Sequence, residues 1–461
     1  MVSANRFFEV LNPPSTTPLF ASRFFLQWLP LMALGAVIAH YAWFVYTNSF
    51  NVPWQDDIPD YLLFMNLVEA AESTRGAITE WFRQYNDHRT AASRLLVYFA
   101  YLAEGEVNFR SLTLLANAAL PLILLLFYLN IRHEKYSGLL LLSTAFILLS
   151  LRSWTLVLWS QAAITYYFVF FYAFACLFAL HKVTVPKFVL AAIFCTLSSF
   201  TYASGQLVWL LGLVSLIHQS RIAGRLSLIY PAIWLIVAAV MLVTWHAGFV
   251  SVAKQIDPSL PGSDLFFGVL LNVDLAGYIK FFLVILGSAV TDSNTRLAGA
   301  SGLGILALLS FITARYYKSE DVRLVLCCWF IVASAAAVST GRAFVGTEYI
   351  LVSRYSFLSV LLASTLILLT LHRFAASRAI ALYLVVVMAG TYCVWTYRHF
   401  DAPLQKMLEV RYKHFNAEQF WLVFVPASET NAIVGESVAR GIYNPICRPI
   451  PDCLASKTAS K

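Results

Sequence analysis

Three carboxylates stand close together in Val52-Pro-Trp-Gln-Asp-Asp-Ile-Pro-Asp60: Asp56, Asp57 and Asp60. A carboxylate so placed can take a proton from an attacking hydroxyl. Capping is the competing use, because Pro59 suits the first turn of a helix whose positive end favours nearby acids. A second cluster, Asn86-Asp-His-Arg-Thr-Ala-Ala-Ser-Arg94, reads as a helix lying along a bilayer with His88 and Arg89 on adjacent faces. Arg89 and Arg94 carry planar forks that match phosphate oxygens; snorkelling toward lipid headgroups is the alternative. A third cluster runs from Thr340-Gly-Arg342 through Glu348-Tyr349 to Ser353-Arg354-Tyr355. Arg354 falls where an apolar run begins, a costly place for a charge unless it is paired or faces a cavity. Function is the default reading there, and an ion pair with Glu348 is the plainer one.

Composition dictates the elements that must position these groups. Of 461 residues, 60% are hydrophobic and 12% charged, about half the charged share of soluble domains. Neither a soluble nor a disordered chain fits that balance. The absence of a long Lys/Arg run argues against nucleic acid as a partner, and the net charge of +8 fits basic loops beside membrane lipids. The chain therefore reads as an all-α polytopic integral membrane protein. Apolar runs at about 24–47, 109–131, 137–152, 162–181, 187–203, 206–219, 228–247, 298–314, 323–341, 353–372 and 378–397 give about eleven transmembrane helices.

Five short connections are basic: Arg132/Lys135, Lys182/Lys187, Arg221/Arg225, Arg315/Lys318/Arg323 and Arg373/Arg378. Placing them in the cytoplasm puts a large first loop, 48–108, outside, with the tail from 398. A spanning helix at 272–290 would reverse the later connections, so that run reads as re-entrant or interfacial on the outer side; an ordinary twelfth span with local charge exceptions is the alternative. The membrane module is 1–397 and the small outer C-terminal region 398–461. Two prolines lie between Cys447 and Cys453, favouring a tight loop that an oxidising compartment would close as a disulfide. No metal-ligand spacing appears among the seven cysteines; no cofactor is demanded, and a divalent metal is compatible. Ser199–Gln206 offers hydroxyls and an amide suited to sugar, although most of these residues read as a polar turn. Trp154, Trp159, Tyr166 and Tyr167 read as an interfacial aromatic belt.

Together these clusters resemble the membrane-integrated glycosyltransferases of the GT-C fold, which carry an acid in the first outer loop just past helix one. Trp54-Gln-Asp-Asp57 is similar to that motif. Asn86-Asp-His-Arg89 resembles an Asn-Glu-His-Arg segment of one bacterial group, with Asp87 in place of Glu. Ser353-Arg354-Tyr355 after Gly341-Arg342, and Ser204-Gly205 before Trp209, are similar to that group as well. The pattern also resembles that of the type IV pilin arabinosyltransferase branch. Two departures stand out: Gln55 precedes the acidic pair, so either Asp matches the family acid, and the outer domain of many relatives is reduced to about 60 residues.

The resemblance implies an inner-membrane enzyme whose site faces the periplasm. It would move a sugar from a polyprenyl-phosphate donor to a hydroxyl on a glycan, lipid or protein such as pilin. It assigns the base to Asp56 or Asp57, and substrate binding to His88, Arg89, Arg342, Arg354 and Tyr355. A lipid-linked sugar flippase or transporter, and an O-antigen polymerase or ligase, are the rival readings. The first lacks matching polar residues on the cytoplasmic side, and the second usually carries its large loop late.

Overall fold

The computed structural model describes residues 28–221, 227–250, 275–319, 321–342, 351–374, 379–416 and 427–445. Helix α1, Leu29–Asn48, leads into loop 1. There a π-type turn at Asp57–Leu62 runs into α2, Leu63–Glu69, and α3, Thr74–Trp81, follows. A two-residue hairpin comes next, β1 Gln84–Tyr85 against β2 His88–Arg89, then α4, Ala91–Glu104. The bundle continues with α5 Phe109–Ile131, α6 Ser137–Leu148, the short α7 Trp154–Val157, and α8 Ser160–Ala179. After these come α9 Val185–Ser199, α10 Leu207–Arg221, α11 Ile229–His246 and α12 Leu275–Gly287. Last are α13 Thr295–Tyr316, α14 Arg323–Arg342, α15 Ser353–Phe374, α16 Ala379–Asn416 and α17 Ala427–Ala439.

The chain is thus an all-α protein with several helices long and apolar enough to cross a membrane, eight among the described residues. Helices also occupy the other apolar runs, but α9 and α10 have 15 residues each, about 22 Å at 1.5 Å per residue. That falls short of a hydrocarbon core of about 30 Å and accounts for two of the three expected spans not among the eight; the third, 378–397, lies within the 38-residue α16.

Contacts sort the helix ends into two groups. At one end loop 1 meets the C-terminal end of α11 through Arg89, the N-terminal end of α8 through Asp57, and Ala203 through His88. At the other end Gln219 reaches Leu180, His218 reaches Ser319, and His372 faces Glu134. The described residues of the basic connections expected on one side, Arg132/Lys135, Lys182/Lys187, Arg221 and Arg315/Lys318/Arg323, lie at this second end. Val250, bonded to Gln84, and Ser288, bonded to Arg152, both lie at the loop-1 end. Helix α12 has 13 residues and is shorter than the spanning candidates. It packs on α13 at backbone contact, since a Cβ on Gly287 would sit 1.9 Å from the Ala298 carbonyl oxygen.

Three sequence expectations change here. His88 and Arg89 lie on the hairpin, not on a surface helix, because Asn86 turns the chain back in a left-handed conformation (φ 47°). The boundary at 398 falls inside one continuous 38-residue helix, α16, about 57 Å long. Its second half and α17 fold back on loop 1. Asn66 donates to the Ile433 carbonyl and accepts from Ser437, and Tyr443 donates to the Asn51 carbonyl. Finally, Trp159, Tyr166 and Tyr167 are buried and Trp154 half-buried, since α8 runs through the bundle centre and its rings meet protein, not lipid. Cys447, Cys453 and Glu348 lie outside the described residues.

The Ser199–Gln206 turn is mostly scaffold, with Ser199 accepting the indole N–H of Trp209 on its hydroxyl and that of Trp245 on its carbonyl. A Cβ on Gly205 would lie 2.0 Å from the Ser198 carbonyl oxygen. Gly205→Ala is expected to destabilise the protein by about 1–3 kcal/mol, the usual range for overpacking. Thermal unfolding in detergent measures it, and an unchanged midpoint would mean that the turn relaxes freely.

Candidate functional site

The three carboxylates have three different environments. Asp57 is fully buried. Its Oδ1 accepts from Ser160 Oγ (2.6 Å) and the Gln161 amide (2.8 Å), and its Oδ2 from the Trp54 amide (2.8 Å). It thereby caps α8, whose own N-cap residue, Trp159, supplies no side-chain bond. Burial pushes the Asp57 carboxyl up to about 6, against the pull of Arg411 and these donors. Asp60 is also buried, accepting from Thr90 Oγ1 (2.8 Å), Arg94 Nη2 (2.9 Å) and Gln161 Nε2 (3.1 Å).

Asp56 differs. It is half-buried, and Oδ1 accepts one bond from the Tyr85 hydroxyl (2.7 Å). Among the described residues Oδ2 has no hydrogen-bond partner. Burial raises the Asp56 carboxyl above its ordinary range, while Tyr85, Arg354 and Arg342 pull it back. Both arginines act through space, with no ion pair to Asp56 among the described residues. Of the two candidates for the base, Asp57 is thus spent on structure, and Asp56 is the one with an open oxygen.

The arginines divide in the same way. Arg89 donates to the carbonyls of Trp245 (2.7 Å), Phe82 (2.6 Å) and Ala247. It caps the C-terminal end of α11, where a cation is favoured, so the expected phosphate contact gives way to a staple. Arg94 is wholly buried, bonding Asp60 and the Glu80, Trp81 and Arg83 carbonyls. Arg354 keeps most of its donors. Among the described residues it makes one long bond, 3.4 Å to the Tyr355 hydroxyl. Its guanidinium carbon lies 5.1 Å from the Tyr355 ring centre and 6.0 Å from that of Trp159. Arg342, the last residue of α14, exerts its field on the same groups.

Aromatic rings line the space beside these charges. The His88 ring lies against Tyr202, tilted by 36° with centroids 4.0 Å apart, and Tyr202 shares a 3.1 Å hydroxyl contact with Tyr166. Burial holds the His88 imidazole down to about 4, with Arg342 adding to the effect and Asp87 opposing it. The ring is therefore neutral at pH 7, and Nδ1 accepts the Ala203 amide at 3.4 Å. It offers phosphate no charge. Tyr85, Tyr166, Tyr202 and Trp159 were not predicted as site residues. The available signal was the run of polar side chains Ser160, Gln161 and Thr165 opening an apolar helix.

Among the described residues no three His, Cys, Asp or Glu side chains gather as metal ligands would. Comparison with known proteins gives no matching family model, no matching curated protein and no matching solved structure.

Proposed function

We propose that the chain is an inverting glycosyltransferase of the GT-C type, moving a sugar from a polyprenyl-phosphate donor to an acceptor hydroxyl at the outer face of the bacterial inner membrane. In this reading eleven helices span, and loop 1 and the tail face the periplasm. One observation carries it: Asp56, with one open oxygen, lies in the field of two arginines, Arg354 and Arg342, that no described carboxylate pairs. The acceptor O–H gives its proton to Asp56 Oδ2 as its oxygen bonds the anomeric carbon. The bond from that carbon to the phosphate oxygen breaks, and the electron pair leaves with the polyprenyl phosphate. Arg354 and Arg342 balance the charge that develops there. A single displacement inverts the anomeric centre.

Mass spectrometry of envelope glycans and surface proteins, with and without the chain, tests the reading. A product lacking one sugar supports it and names the acceptor; identical profiles in cells that express the wild-type chain overturn it. A finer expectation concerns Tyr85. Its hydroxyl stabilises ionised Asp56, and a base works only when ionised. In Tyr85→Phe burial acts unopposed by that bond, so the acid limb of kcat/KM moves to higher pH. An unmoved limb would separate Asp56 from the rate-determining ionisation.

A further inference from the structure

Arg411 belongs to the outlying half of α16, yet it is buried. Its Nη1 donates to the Leu158 carbonyl (2.7 Å), two residues before α8, and its Nη2 to the carbonyl of Val52. The guanidinium lies over the Phe50 ring (5.0 Å to its centre) and 3.9 Å from Asp57 Oδ2. One side chain thus grips the segment leading into the acidic motif, the start of α8, and the aspartate that joins the two.

A second observation shows what this grip holds. Gln55, immediately before Asp56, has φ 46°, a left-handed conformation that a non-glycine residue keeps only where its surroundings over-determine it. Those surroundings are the Arg411 bond at Val52 on one side, and the Asp57 bonds to the Trp54 amide and to α8 on the other. The strained residue aims the next side chain, Asp56, toward Tyr85.

We propose that Arg411 is a positioning residue, which acts through Asp57 and the Val52 carbonyl to hold the Asp56 carboxylate at its working distance from Arg354. The inference rests on the glycosyl-transfer reading. Arg411 touches no reacting atom, and its contribution is geometric. A lysine keeps the charge but places its donors at one point, and cannot bridge the Leu158 and Val52 carbonyls as the fork does.

Three full-length variants test it: Arg411→Lys, the milder Ser160→Ala, and Asp56→Asn. Transfer per folded molecule is measured in membranes with endogenous donor and acceptor, and affinity with polyprenyl phosphate on purified protein. Arg411→Lys is expected to slow transfer about 100-fold, the effect of displacing a reacting group by about 1 Å, with unchanged polyprenyl phosphate affinity. Ser160→Ala removes one of the donors to Asp57, and a loss of about tenfold is expected, a free-energy change of about 1.4 kcal/mol. Wild-type transfer by folded Arg411→Lys overturns the inference, as does a matching loss of phosphate affinity, which would mark general collapse of the site. If Arg411→Lys does not fold, wild-type transfer by Ser160→Ala overturns it instead. If Asp56→Asn itself transfers normally, the glycosyl-transfer reading has failed; if Asp56→Asn is inactive while Arg411→Lys is active, the positioning role alone has failed.

Discussion

Asp56→Asn is expected to slow sugar transfer at least about 100-fold, the low end for removal of a general base, in a protein that folds and accumulates normally. The amide matches the carboxylate in size, and its oxygen can still accept the Tyr85 hydroxyl, so the local bond survives. What disappears is the basic oxygen that no described residue occupies. Asp57→Asn should also slow transfer, since Asp57 helps to position Asp56, but its larger effect is on stability. It leaves the buried guanidinium of Arg411 without its carboxylate, and breaking a buried pair in this way costs about 3–5 kcal/mol. Abundance and thermal midpoint should therefore fall for Asp57→Asn, while the folded fraction keeps more activity than Asp56→Asn. Both variants are compared in one membrane assay normalised to protein amount. Wild-type transfer by Asp56→Asn would remove the proposed base and the reading built on it.

The sequence separates these two aspartates poorly for a physical reason. They are adjacent, equally acidic and equally close to a helix end. What distinguishes them is a set of donors on Ser160 and Gln161, more than 100 positions away. The apolar runs are legible because burying a backbone in lipid demands a long uninterrupted helix. Their number is less so, because Val185–Ser199 and Leu207–Arg221 sit at the margin of spanning length. The hairpin at His88 escapes notice because two-residue strands leave no period to read. Arg89 looks like a phosphate ligand until the carbonyls ending Ile229–His246 are found beside it. Arg411 offers no local signal at all. It sits between Lys406 and Lys413 in an apparently solvated stretch, and its partner Val52 is 359 residues away. Arg354 and Arg342 are legible from the opposite circumstance: a charge at the mouth of an apolar run has a cost that must be offset by something nearby.

Arg354 carries the other large expected effect. It opens the helix Ser353–Phe374, with Tyr355 and Trp159 rings flanking its guanidinium. Aromatic faces hold such a group by its plane, which leaves the N–H edge free to meet the oxygens of a phosphate. Arg354→Ala should therefore lower transfer by about 100- to 1000-fold, the range seen when a donor to developing negative charge is removed. Arg354→Lys keeps the charge, loses the fork and its stacking, and should also weaken polyprenyl phosphate binding in a protein that still folds. The competing role is an ion pair with Glu348 that fixes packing, with no phosphate contact. In that case lysine would be tolerated, and Glu348→Gln would be as damaging as the alanine change. Binding of polyprenyl phosphate and transfer by Arg354→Lys, Arg354→Ala and Glu348→Gln decide between the two. Unchanged affinity and rate in Arg354→Lys, beside a crippled Glu348→Gln, would move Arg354 from the phosphate to the scaffold.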